Sequence, residues 1–356
     1  MSSHPNSCLK TAVIIVLVVE IALYIGYLRR NSMALNLEDG EHVWYSHYNL
    51  NLPTVEKCTE EQRSKIEVQL GLSHNRVKGL SGCFDADWLD AFFEEEEDIG
   101  TEHFIGISVG CNVGTDAINT ARMGMSDPKF DVFSWIDALG EVVPPVCGKK
   151  NRQGATNFPL REGEMHCIEP MPSNALVLNN AIRASGVDEG RFVVSHAAIS
   201  SSNGVVKFPN GGPGYEACGM QGCQHADEGI GLVDVNVYSL DYYVSKFVKG
   251  RGPINVLSVD VEGWDFDALF GASSVLDRTY YLEFEYHKVG NWANYKLENA
   301  LRLLDHKGTG MWRITECYFA VYDKWHDWSN VGCVHRSYAN LAKRMEDRFN
   351  STLHSL

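Results

Sequence analysis

Three places in the chain put chemically useful residues where a strand should end. Residues 104–109 read as a buried strand that runs into Gly110-Cys111-Asn112-Val113-Gly114. Glycine at 110 lets the backbone turn sharply and approach a ligand, and Gly114 lets the next helix pack closely. The spacing is GxxxG rather than GxGxxG, which argues against a pyrophosphate-bridged dinucleotide. Residues 165–168 form a second expected strand ending in Glu169, and an acid there can accept hydrogen bonds from both ribose hydroxyls of a nucleoside. A later run, 254–260, ends in Asp260, with Glu262 two positions on. Two carboxylates at one strand end face the same crevice, and partial burial suits one of them to general-base work. His287, after an alternating run at 280–285, is another candidate base, though a structural histidine is the commoner role.

These residues need elements to position them. From about residue 100 short apolar runs alternate with helical periods, the pattern of an α/β sheet with parallel strands. A helix is expected over 115–123, and another capped by Ser173, carrying Leu178, Ala181 and Ile182, and stopped by Gly186. Residues 191–195 read as a strand. Leu240, Tyr243, Val244, Phe247 and Val248 recur at helical spacing between Ser239 and Gly250. Helices over 266–276 and 297–305 follow, and the runs 312–321 and 331–335 read as a closing hairpin. Five strand–helix steps with right-handed crossovers make a doubly wound sheet, whose ligand sits beyond the carboxyl ends of the strands.

In chain order, Ile107-Ser-Val-Gly-Cys-Asn-Val-Gly114, Ile168-Glu-Pro-Met-Pro-Ser-Asn174, Ala197-Ala-Ile-Ser200, Tyr238-Ser-Leu-Asp241 and Val259-Asp-Val-Glu-Gly-Trp264 resemble the FkbM-type S-adenosylmethionine-dependent methyltransferases. The resemblance spans about residues 100–335. It implies a Rossmann-like class I methyltransferase fold, with a seven-stranded mostly parallel sheet and a terminal antiparallel hairpin. It also implies S-adenosyl-L-methionine as donor and O-methylation of a sugar or other hydroxyl. By motif, Gly110, Cys111, Asn112 and Gly114 would line the methionine and ribose region, Glu169 would hold the ribose and Ala198 would lie near the adenine. Asp260 and Glu262 would face donor and acceptor. Ser108 stands where the family usually has Asp, and Ser258 where it often has Lys. The substitution at 108 keeps a second reading open, a methyltransferase-fold binding or adaptor protein without turnover. About 59 residues separate Gly110 from Glu169, which marks 126–163 as an insertion.

Residues 11–28 (TAVIIVLVVEIALYIGYL) are apolar apart from Glu20 and are flanked by Lys10 and Arg29-Arg30. Their helical length, about 27 Å, matches a hydrocarbon core. No small-x-small cleavage site precedes the arginine pair, so the stretch reads as an uncleaved signal anchor. The expected organisation is a tail over 1–10, the anchor, a stem over 29–75, a catalytic domain over 76–340 and a tail over 341–356. With Cys111 assigned to the site, the other cysteines beyond the anchor form an even set, pairable by proximity as 58 with 83, 147 with 167, 218 with 223 and 317 with 333. An even set suits an oxidising compartment, and Asn350-Ser-Thr is a glycosylation sequon. Together they point to a single-pass type II protein of the Golgi or endoplasmic reticulum with a lumenal domain.

Against 31 basic residues stand 46 acidic ones, a net charge of −15, which excludes a phosphate-tracking nucleic-acid binder. Cys218, Cys223 and His225 in a glycine-rich segment are too few and wrongly spaced for a common zinc site, so a disulfide or plain loop is favoured and no metal is expected. No nucleophile-elbow pattern appears. The partners implied are a small-molecule methyl donor, a hydroxyl acceptor such as a glycan, and a membrane.

Overall fold

A computed structural model describes residues 56–57, 84–95, 103–142, 160–215, 218–220, 222–223, 231–286, 290–295, 299–300, 303–304, 311–313, 317–318, 329–338, 340–341 and 343–345. All fall in the compact unit Thr54–Leu356. The apolar stretch 11–28, the expected stem over 29–75 apart from Glu56–Lys57, His287, Asn350 and Cys58, Cys83 and Cys147 lie outside the described residues. Among the described residues no helix is long and apolar enough to cross a membrane.

The centre is a seven-stranded sheet. In chain order its strands are β2 (His103–Val109), β3 (Glu162–Glu169), β4 (Phe192–His196), β10 (Ile254–Val259), β11 (Thr279–Tyr286), β12 (Met311–Arg313) and β14 (Ser329–His335). They lie side by side as β12-β14-β11-β10-β2-β3-β4. The five strands from β4 to β11 are parallel, and β14 runs antiparallel between β11 and β12. The order grows in one direction from β2 to β4 and then restarts on the other side at β10. The switch point therefore lies between β2 and β10, where ligands of open α/β sheets bind.

Alternation along the strands sends side chains to both faces. Phe104, Met165 and Cys167 join Ile118, Trp135, Leu178 and Phe192 on one face. Ile105, Ile107 and Val109 join Tyr243, Val244, Leu269 and Val275 on the other. The helices of the first face are α1 (Phe84–Glu95), α2 (Thr115–Met125), α3 (Val132–Leu139) and α4 (Pro172–Ser185). Those of the second are α5 (Leu240–Phe247), α6 (Asp265–Phe270) and α7 (Ser273–Leu276).

Several expectations change in detail. Ser173 does not cap α4: Pro172 takes the first helical position, where its fixed φ suits a helix start, and the Ser173 hydroxyl donates to the Gly211 carbonyl at 2.7 Å. The helix expected over 266–276 is two short ones, interrupted at Gly271-Ala272. The run 312–321 is not one strand, because Cys317–Tyr318 (β13) pairs with Glu56–Lys57 (β1) in a separate sheet. Part of the expected insertion folds as α3, whose Asp131 side chain accepts from the Ser134 amide at 2.8 Å. The glycine-rich stretch after β4 forms a second sheet of Ala198–Ile199 (β5), Gly204–Pro209 (β6) and Leu232–Tyr238 (β9), and a hairpin of Cys218–Gly219 (β7) and Gly222–Cys223 (β8).

Candidate active site

A cavity of about 280 Å³ opens at the switch point, lined by residues from the ends of β2, β3, β10 and β11 and by the second sheet. The sequence-derived candidates Gly110, Cys111, Asn112, Glu169, Ala198, Asp260 and Glu262 all border it. Gly114 does not; it supports the loop from behind.

The loop after β2 has a left-handed backbone at Gly110 (φ 77°), Asn112 (φ 49°) and Gly114 (φ 78°). Any Cβ at Gly110 would run into the Asp260 carbonyl, so glycine is what lets β2 and β10 end side by side. At Gly114 a Cβ would meet Leu178 at 2.7 Å and the Trp135 ring at 3.3 Å. Trp135, fully buried, also donates its indole N–H to the Val113 carbonyl at 2.8 Å. A helix of the expected insertion thus supports the loop, a role that spacing alone could not show.

Cys111 corrects the cysteine assignment. It is bonded to Cys167, 56 positions away, with the two Cα atoms 5.5 Å apart. The physical reason is register: Val109 lies opposite Ile168 on adjacent parallel strands, so the turn after β2 folds back over the end of β3. Cys111 lines the cavity as half of a disulfide, and the expected pairing of Cys147 with Cys167 is overturned. Cys218 is also disulfide-bonded and cannot serve zinc as a thiolate. Its backbone partner across the hairpin is Cys223. Cys317 and Cys333 fall on strands of different sheets, which removes the neighbour argument for pairing them.

Glu169 is 4% exposed. Its Oε2 accepts from the Asn112 amide at 2.8 Å, and Oε1 accepts from the Met171 amide at 2.9 Å and the Asn174 side chain at 3.3 Å. Burial pushes its carboxyl up to about 7, against the opposing pull of these three N–H donors.

Across the cavity, Asp260, Glu262 and Glu285 bring carboxylate oxygens within 4.8 Å of one another. The Asp260 side chain opens onto the cavity and is exposed there, with the body of the protein packed behind it. Burial, followed by the charges of Glu285, Glu262 and Asp265 and a hydrogen bond with Glu285, raises it well above the usual carboxylate range. Crowding of this kind disfavours ionisation of all three carboxyls at once, and as carboxylates they could equally ligate a divalent cation. Glu262 has a left-handed backbone (φ 54°). Its turn is held by buried Asp265, which accepts from the Val261 and Gly263 amides and the Trp292 indole at 3.0–3.2 Å. Glu285 was missed in the sequence, although it stands near the carboxyl end of β11 and the strand-end logic that picked out Glu169 and Asp260 reaches it too. Ser108 and Ser258, the two departures from the family pattern, are paired in register on β2 and β10 and both line the cavity.

Residues 147–309 match the family model of the methyltransferase FkbM domain. No curated protein matches the chain. A crystal structure of methyltransferase FkbM from Methylobacillus flagellatus KT is similar at 11% identity and a TM-score of 0.36, covering 69% of this chain; the chain spans about half, 48%, of that one. The match to the methyltransferase FkbM domain takes in Glu169, Ala198, Asp260, Glu262 and Glu285, while the loop Gly110–Gly114 lies before it.

Proposed function

We propose that the chain is an S-adenosylmethionine-dependent O-methyltransferase acting on a hydroxyl of a sugar or glycan. The observation that carries the reading is the buried Glu169 carboxylate at the switch point, next to a loop whose Gly110 leaves room for close approach. The cavity fits the donor by charge as well. Asp116, Glu169, Asp260, Glu262, Glu283 and Glu285 line it, with no lysine or arginine among the described lining residues, which favours a cationic ligand.

Bound S-adenosylmethionine supplies a methyl group on a positively charged sulfur. Glu169 accepts hydrogen bonds from a ribose diol, and the wall formed by Met171, Ala198, Phe208 and Tyr215 suits an adenine. As the acceptor oxygen forms the new carbon–oxygen bond, the methyl carbon–sulfur bond would break to leave a neutral thioether, and Asp260, paired with Glu285, takes the proton that the hydroxyl loses. Sharing one proton between the two carboxylates keeps a basic oxygen available without a full double negative charge.

Calorimetry of the full chain with S-adenosylmethionine, followed by transfer of a labelled methyl group to a glycan panel, tests this. Micromolar binding and label in an alkali-stable ether are expected. Absence of binding refutes the donor assignment, and binding without transfer to any hydroxyl favours the adaptor reading. Asp260→Asn should keep donor binding and lose turnover.

The finer placement, an anchor at 11–28 with the domain in the lumen, rests on that apolar stretch and on the Cys111–Cys167 bond, which suits an oxidising compartment. An endoglycosidase-sensitive glycan on Asn350 is expected in a eukaryotic secretory host; exclusively cytosolic accessibility of the C-terminus would overturn it.

A further inference from the structure

Asn174 lies in the first turn of α4 with a side chain only 1% exposed. Its Oδ1 accepts from the Gly214 amide at 2.8 Å. That contact fixes which end of the amide is nitrogen, because a backbone N–H can only donate. The Nδ2 is therefore turned toward Glu169 Oε1 and Asn112 Oδ1, both at 3.3 Å. One amide thus joins three segments distant in sequence: the glycine loop after β2, the acid at the end of β3, and the 211–215 segment that brings Tyr215 to the cavity wall.

We infer that Asn174 is a positioning residue for the donor site, holding the Glu169 carboxylate in the orientation that reads a ribose diol. This rests on the donor reading above. The other two hydrogen bonds to Glu169 come from main-chain amides, of Asn112 and Met171, so Asn174 is the side chain in the set that substitution can remove. Asn112 is also supported through it, since Asn174 donates to the side chain of a residue with a left-handed backbone. The Gly214 contact extends the same link to the apolar wall, so the orientation of the acid and the position of Tyr215 are set by one group.

The test measures binding of S-adenosylhomocysteine and of its 2′-deoxy analogue to the full chain and to two variants. Asn174→Leu removes all three contacts at similar volume. Asn174→Asp keeps an acceptor for the Gly214 amide, removes the donations to Glu169 and Asn112, and sets a second carboxyl beside Glu169. Wild type is expected to prefer the diol at least tenfold. Both variants should reduce that preference to threefold or less, through weaker binding of the diol ligand with little change for the deoxy ligand. A purely structural role would weaken both ligands alike, so an unchanged preference in Asn174→Asp overturns the inference, even if Asn174→Leu fails to fold. Wild type that binds neither ligand overturns the donor reading and this inference with it; wild type that binds both equally overturns this inference and leaves the donor reading standing.

Discussion

Glu169 gives the sharpest quantitative expectation. Its carboxyl stands at about 7 in the folded protein against an ordinary 4.5, with burial as the main cause. Between those values the folded chain keeps a proton that the unfolded chain has released. Its contribution to stability is therefore fully present below about pH 4.5 and is lost as pH rises through 7. At about 1.4 kcal/mol per pH unit, the whole loss is about 3.5 kcal/mol. Glu169→Gln keeps the shape but cannot ionise. Its amide must turn an N–H toward one of the three donors that now face the carboxylate, a fixed cost of about 1–3 kcal/mol. That cost is the same at every pH, so the stability of the variant minus that of wild type should rise by about 3 kcal/mol between pH 4.5 and pH 8. Chemical denaturation without donor, with disulfides intact, reads this difference directly. A pH-independent difference would refute the reasoning, because it would mean that the three N–H donors already outweigh burial and keep the empty site ionised. The same carboxylate that destabilises the empty protein near neutrality is the one a ribose diol would satisfy, so donor affinity should also rise as pH approaches 7 from below.

Other expectations follow from the surroundings of the site. Replacing Cys111 and Cys167 together by serine opens a link between residues 56 positions apart, which a chain-entropy estimate puts at about 4 kcal/mol; scanning fluorimetry should show a fall in Tm of about 10 °C, and peptide mapping of the unreduced protein should recover 111 joined to 167. Trp135→Ala should cost about 3–5 kcal/mol as a large buried truncation and weaken donor binding by loosening the loop at Val113, whereas equal donor affinity would disconnect α3 from the site. Gly114→Ala should destabilise by about 1–3 kcal/mol, since φ is positive there and Leu178 stands at 2.7 Å from the new carbon.

The places of β2, β3 and β10 along the chain and the residues at their ends were legible because both rest on local signals. β2, β3 and β10 are short apolar runs with a glycine or an acid at the end, and α5 shows its period and its Ser239 cap plainly. What sequence could not show depended on register or distant packing. Cys111 meets Cys167 because β2 and β3 align Val109 with Ile168, a relation that counting cysteines cannot yield. Trp135 supports the loop across 22 positions, and nothing in its own neighbourhood marks it. The second sheet of β5, β6 and β9 was not anticipated, because β5 is two residues long and β6 is largely exposed, so neither shows the buried alternation that marks a strand.

The strand order bears on what can be excised. The family match begins at residue 147, after β2 in the chain, while β2 occupies the middle of the sheet between β3 and β10. A fragment cut to the match would hold β3 and β4 on one side and β10 and β11 on the other, with bare edges where β2 should join them. It would also lack the glycine loop and β14. The smallest expression unit that closes the sheet runs from before His103 to beyond His335, and a fragment without that first strand should be recovered as aggregate.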